Sequence, residues 1–243
     1  DTKYWCSVAI SRITERSAEN VAVVVAAGAV PALTAALRDV ASSNKTKSLC
    51  SGALAEIAEK AADGAAVVVA AGAVPALTAA LRDVASSDDT KRWCSGALAK
   101  IVEKATDGAA VVMAAGAVPV LTSTLRDAGT SDATKSWCAV ALAHIAARSS
   151  DSAAALVADG VLSALAASLM DGASCAREKN CCARSLAVVA RACSGGAAAV
   201  VASVSAIGAV SALPLTATAK EGAAAYVEVR VKRAVHEMTI RIV

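Results

Sequence analysis

The residues of this 243-residue chain that could do chemistry are eight cysteines and two histidines. Cys6, Cys50, Cys94, Cys138 and Cys182 recur every 44 residues, and Cys175, Cys181 and Cys193 lie outside that register. Thiols can form disulfides, hold zinc or act as nucleophiles, and each role demands a particular neighbour. The run Cys175, Cys181, Cys182, Cys193 matches no strong zinc template, and adjacent helical cysteines point about 100° apart. Around His144 and His236 there is no HExxH, nucleophile triad, phosphate loop or dinucleotide loop. No catalytic residue, metal ligand or cofactor site is therefore expected, and the reading is not an enzyme.

The spacing of the cysteines points instead to the elements that carry them. Residues 28–43 read GAVPALTAALRDVASS, and residues 72–87 repeat them letter for letter. Gly28, Gly72, Gly116 and Gly160 keep the 44-residue period, and so do Lys3, Lys47, Lys91, Lys135 and Lys179. A period of this size is the mark of stacked structural repeats. Composition agrees: the chain is 56% hydrophobic with no Phe, three Trp and four Pro, so alanine and valine carry the apolar fraction. That makeup favours an all-α chain. The net charge of +3 and the lack of a dense basic tract give no footprint for nucleic acid.

Each unit divides into three helical pieces. In 63–72, Asp63 stands at the N-cap position and Gly72 at a left-handed C′ position. In the second piece Pro75 suits the first helical position, and Leu77, Ala80, Leu81 and Val84 form one apolar stripe. In the third, Cys94, Ala97, Leu98 and Ile101 repeat that spacing, after a polar Ser/Asp loop. Mean hydropathy is +0.56, but the longest uncharged stretch, between Arg191 and Lys220, holds glycines and Pro214. It reads as helix–turn–helix, with no membrane span. The opening DTKYWCSV lacks Met and a signal pattern, which suggests a fragment or processed form.

A short helix ending in Gly, a GAVPAL-type second helix and a longer third helix with ALAKI resemble the armadillo repeat, with two-helix HEAT-like repeats as runner-up. The resemblance implies a right-handed α-solenoid. Its units are a partial repeat at 1–18 (third helix only), repeats at 19–62, 63–106, 107–150 and 151–194, and a divergent capping repeat at 195–243. Four extra residues between Gly195 and Gly208 fall in that last unit, and its tail is read as helical although YVEVRVKR also alternates like a strand.

In the armadillo family the third helix lines a concave groove for extended peptides. On a helical wheel with Lys100 at zero, Trp93 lies near about +20° and Gly96 near about −40°, with Cys94, Leu98 and Ile101 toward the core. The groove candidates are then Trp5, Arg12, Glu56, Trp93, Lys100, Trp137, His144 and Arg184. The resemblance implies a non-enzymatic scaffold binding a protein partner there; the alternative is a subunit of a ciliary or organellar assembly packed through apolar end faces. Nuclear-import receptors of the family carry a Trp followed four residues later by Asn. Here those positions hold Gly52/Glu56, Gly96/Lys100 and Val140/His144, so that role is not expected. The Trp row either makes partner pockets or seals each third helix onto its neighbour. Lys3, Lys47, Lys91, Lys135 and Lys179 read as a basic, solvated rim, and the Arg-Asp pairs at 38/39, 82/83 and 126/127 as local or inter-repeat ion pairs. Repeats about one helix diameter apart cannot join their cysteines along the stack. Unpaired thiols imply a reducing, intracellular compartment.

Overall fold

The computed structural model describes residues 2–193; the divergent capping repeat at 195–243, with its lengthened first helix and its tail, lies outside them. Thirteen helices and no strand are found among the described residues. In chain order they are α1 (Thr2–Arg16), α2 (Ala18–Ala26), α3 (Ala29–Arg38), α4 (Asn44–Lys60), α5 (Gly64–Ala70), α6 (Ala73–Arg82), α7 (Asp88–Lys104), α8 (Gly108–Ala114), α9 (Ala117–Arg126), α10 (Asp132–Arg148), α11 (Ser150–Ala158), α12 (Val161–Met170) and α13 (Ala176–Ala192). Two compact units divide between His144 and Ile145. After α1 the described chain is four short–medium–long triplets, the three-helix module of the armadillo type and not the two-helix HEAT type.

Local chemistry sets the breaks. Gly28, Gly72, Gly116 and Gly160 all have positive φ, between 67° and 77°. At Gly72 the left-handed residue closes α5, its N–H donating to the Val69 carbonyl at 2.9 Å, and the chain turns by 77° into α6. Only glycine takes that backbone without a Cβ penalty. The long third helices start on serine caps. The hydroxyls of Ser43 and Ser87 accept the N–H of Thr46 and Thr90 at 3.2 and 3.3 Å. Ser51 and Ser95, inside these helices, donate instead to the carbonyls of Lys47 and Lys91.

Three local expectations are corrected. Asp63 holds the N-cap position of α5, but its side chain makes no capping hydrogen bond. Pro75 is the third residue of α6, not the first; the position is tolerated because first-turn N–H groups have no intrahelical partner. Val84 is 94% exposed and off the stripe. The helix stops at Arg82 because Asp83 turns extended and its carboxylate accepts the Ala85 N–H at 2.9 Å. The rest of that stripe is buried: Leu77, Ala80 and Leu81.

In the first unit, Asp1–His144, the core lies where third helices meet each other and the second helices. Leu54, Ile57, Leu98 and Ile101 are fully buried, as are Cys50, Cys94 and Cys138. In the second unit α11, α12 and α13 pack together around Leu156, Leu165 and Val189. No single helix among the described residues is long and apolar enough to cross a membrane.

Candidate functional site

Neighbouring third helices in the first unit are joined by a contact set that repeats with the period. The thiols of Cys50, Cys94 and Cys138 each lie 3.3 Å from the hydroxyl of Ser7, Ser51 and Ser95 on the preceding helix. Each serine spends its proton on its own i−4 carbonyl, so the thiol is left as donor to the serine oxygen. Burial drives the Cys94 and Cys138 thiols up to about 12, which keeps them protonated and chemically quiet. None of the eight cysteines is in a disulfide. Cys175 caps α13, its sulfur accepting the Glu178 N–H at 3.5 Å, and Cys193 donates to the Val189 carbonyl. No three His, Cys, Asp or Glu side chains converge as a metal site among the described residues.

Beside that ladder runs the tryptophan row. A Cβ on Gly52 would stand 3.3 Å from Trp93 Cδ2, and one on Gly96 3.6 Å from Trp137 Cδ2. Each ring therefore lies on the glycine of the helix before it while remaining half-exposed. The sealing role is thus visible in the contacts, and sequence alone left it level with the pocket role. The tighter fit at Gly52 has a measurable consequence. Gly96→Ala gains the usual mid-helix advantage of about 0.5–1 kcal/mol, whereas Gly52→Ala forfeits it by pushing on Trp93. Urea unfolding of the two variants is expected to rank Gly96→Ala above Gly52→Ala; the reverse order contradicts this packing.

Charged groups continue the third-helix face past the rings. Lys100 binds Glu59 of the preceding helix at 3.0 Å and its own Glu103 at 3.3 Å. Glu56 pairs with Lys60 at 2.7 Å, and Lys60 also donates to the carbonyls of Thr14 and Glu15 at the end of α1. His144 Nδ1 sits 3.2 Å from the Ala99 carbonyl. Arg92 lies 5.0 Å over the Trp93 ring. Trp5 and Arg12 on α1 are exposed. Arg184 is exposed on α13 in the second unit.

The lysine row is bonded into the stack. Lys3 pairs with Asp39, Lys47 with Asp83 at 3.8 Å and Lys91 with Asp127 at 4.0 Å. Each lysine reaches the aspartate that ends the next unit's second helix. Lys135 is buried and Lys179 half-buried. Arg38, beside Asp39, plays a different part: it donates to the Gly72 carbonyl at 2.7 Å, crossing to the next unit's left-handed turn.

These bonds lower several carboxylates. At Asp39 the Lys3 hydrogen bond acts first, and at Asp127 the Gly129 N–H. Burial raises Asp88, but hydrogen bonds from the Ser131 hydroxyl and N–H outweigh it. Burial likewise raises Glu103 and is outweighed by Lys100. A depressed folded pKa gives stability that is present above the unfolded value, near about 4, and lost as pH falls through the folded one. Melting temperature is expected to stay level from neutral pH to about pH 5 and to fall below about pH 4. A fall already complete at pH 6 contradicts this. Lys100 is raised: burial lowers it, and Glu59 and Glu103 overcome that. Its contribution is present below the unfolded value and lost above about pH 10 as the folded pKa is passed.

No family model and no curated protein matches the chain. Solved structures do. A designed armadillo repeat protein superposes with a TM-score of 0.75 at 21% identity, covering 94% of this chain and 92% of its own. The chain has the armadillo-repeat fold. A second designed armadillo repeat protein, solved in complex with the peptide (KR)4, matches with a TM-score of 0.74 at 22% identity over 93% of this chain and 91% of that one. Computationally designed armadillo repeat proteins for modular peptide recognition match at 0.72 and 24% identity, over 90% and 89%. Within this fold α1, α4, α7 and α10 are armadillo third helices. The serine–cysteine ladder between them was missed by sequence reasoning. A signal for it existed in the recurrence of Ser-Gly or Ser directly after each cysteine at 6, 50 and 94.

Proposed function

We propose that this chain is a non-enzymatic scaffold that binds an extended segment of a protein partner along the groove formed by its third helices. The observation that carries the reading is the shared third-helix face in the first unit. Half-exposed Trp93 and Trp137 lie on packed glycines there, alongside the Lys100 and Glu56 ion pairs and His144. Aromatic rings on a rigid floor supply contact area at low ordering cost, and the polar groups beside them can orient a peptide backbone. The peptide-bound designed armadillo protein supports this use of the fold without specifying the ligand here. The mixed charge of Glu56, Glu59, Lys60, Lys100 and Glu103 favours a segment bearing both signs over a uniformly basic one. Eight cysteines without a disulfide suit a reducing intracellular compartment.

The test is a peptide array probed with the full chain, followed by titration of the selected peptides against Lys100→Glu and His144→Ala. Selected peptides are expected to lose about tenfold or more in affinity for Lys100→Glu. Peptides that bind both variants as well as the parent, or an array with no binder, overturn the reading. The rival assignment, a subunit fixed in a larger assembly, turns on a different surface, the outer face of α1.

A further inference from the structure

Four aspartate–glycine pairs stand in the chain, at 63–64, 107–108, 159–160 and 171–172. In this dipeptide the backbone nitrogen can attack the preceding side chain with no Cβ in the way. The fold holds three of those nitrogens. Gly64 N–H donates to the Ala61 carbonyl at 3.1 Å and Gly108 N–H to the Ala105 carbonyl at 3.2 Å. Both glycines are buried against the third helix before them, where a Cβ would collide with the Ile57 or Ile101 carbonyl. Gly160 N–H donates to the Val157 carbonyl at 3.2 Å inside its left-handed turn. The fourth pair differs. Asp171 and Gly172 are exposed between α12 and α13. Gly172 has open space where a Cβ would stand, and its N–H meets no acceptor among the described residues.

The same turn occurs three more times with another residue in that place. Asp39, Asp83, Asp127 and Asp171 all have φ between −71° and −65° and ψ between 117° and 120°. Each carboxylate accepts the N–H two residues on, at 2.9–3.0 Å. The residue between is Val40, Val84, Ala128 or Gly172. Asp39, Asp83 and Asp127 are also ion-paired to Lys3, Lys47 and Lys91, which ties their side chains. Closing a ring onto the aspartate turns the peptide plane after it and so changes the φ of the next residue. Valine and alanine resist that rotation through their Cβ, and glycine does not. The fourth turn combines an unbonded nitrogen, a carboxylate folded back over the backbone and no Cβ.

We infer that Asp171–Gly172 is a modification site, where the backbone rearranges through a succinimide to isoaspartate and the chain becomes an acceptor for isoaspartyl methyl transfer. The Gly172 nitrogen bonds to Asp171 Cγ, and the carboxyl's hydroxyl leaves with the amide proton as water. A second water then opens the ring. Attack at Cγ breaks the new C–N bond and restores aspartate. Attack at the former main-chain carbonyl breaks the original peptide C–N bond. The chain then runs through Cβ and Cγ, and the old carbonyl carbon becomes a free carboxylate. No electrons are exchanged. The product backbone is one carbon longer, and the group that accepted the Ala173 N–H becomes part of the main chain. This loop leads into α13, the helix that carries Arg184. The inference goes beyond the groove reading and does not depend on it.

The full chain is aged at neutral pH, folded in buffer and unfolded in urea. Isoaspartate is measured by methyl transfer from S-adenosylmethionine with an isoaspartyl methyltransferase and located by peptide fragmentation. In urea all four pairs are expected to react at similar rates. In the folded chain Asp63, Asp107 and Asp159 react only from locally opened molecules and should slow by about tenfold or more, while Asp171 keeps its unfolded rate within about threefold. Gly172→Ala, which puts into this turn the residue type already present at Ala128, should keep the helix content and remove isoaspartate at 171. Protection of Asp171 equal to that of the other three pairs overturns the inference. So does isoaspartate that forms first at another pair in the folded chain, or that persists at Asp171 in Gly172→Ala.

Discussion

Leu98→Ala is expected to lower the unfolding free energy by about 2–5 kcal/mol, the range for emptying a well-packed leucine site. Leu98 is fully buried in α7, a helix that packs against α4, α5, α6 and α8. Its loss removes transfer energy and leaves a cavity among rigid helices. The fold adds a second cost. An alanine-rich core spreads its burial over many small contacts, so each long side chain carries a large share of the apolar area. Urea denaturation monitored by circular dichroism checks the value; a loss below about 1 kcal/mol would place Leu98 outside the core.

Trp93→Ala should cost about 2–4 kcal/mol, toward the lower side of values for buried aromatics because the ring is half-exposed. The ring covers Gly52 and carries Arg92 at 5.0 Å, so truncation uncovers a backbone surface and leaves the guanidinium with only its Asp89 pair. The same denaturation experiment measures it. Paired with peptide titration it also separates the two roles of the row. A stability loss with unchanged affinity assigns Trp93 to packing, and loss of both shows that it serves packing and binding together.

Much of this architecture was legible because the chain writes it repeatedly. Gly72 and its counterparts mark the left-handed turns, and Cys94, Leu98 and Ile101 mark the buried stripe, each through spacing along one helix. What escaped were contacts between units, which no single-helix pattern records. Lys47 meets Asp83, 36 residues on, and Ser51 meets Cys94, 43 residues on. Of the two readings of Asp83, a local or an inter-repeat ion pair, the structure has the inter-repeat one: adjacent side chains diverge, so the aspartate takes Lys47 from the preceding unit. Val84 was misplaced because the Asp83 carboxylate offers the backbone a turn that competes with another helical residue. The candidate site was legible as a helix face, and its residues were identified by wheel geometry; the floor under the tryptophans required the neighbour's backbone.

The account rests on third helices meeting in one register, with Trp93 and Trp137 each seated on the glycine 41 positions before it. A NOESY spectrum of the full chain with selectively labelled Trp and Gly tests this most directly. Cross-peaks from the Trp93 indole protons to the Gly52 Hα protons, and from Trp137 to Gly96, are the predicted result. A folded, helical chain in which Trp93 shows no cross-peak to Gly52 would contradict it.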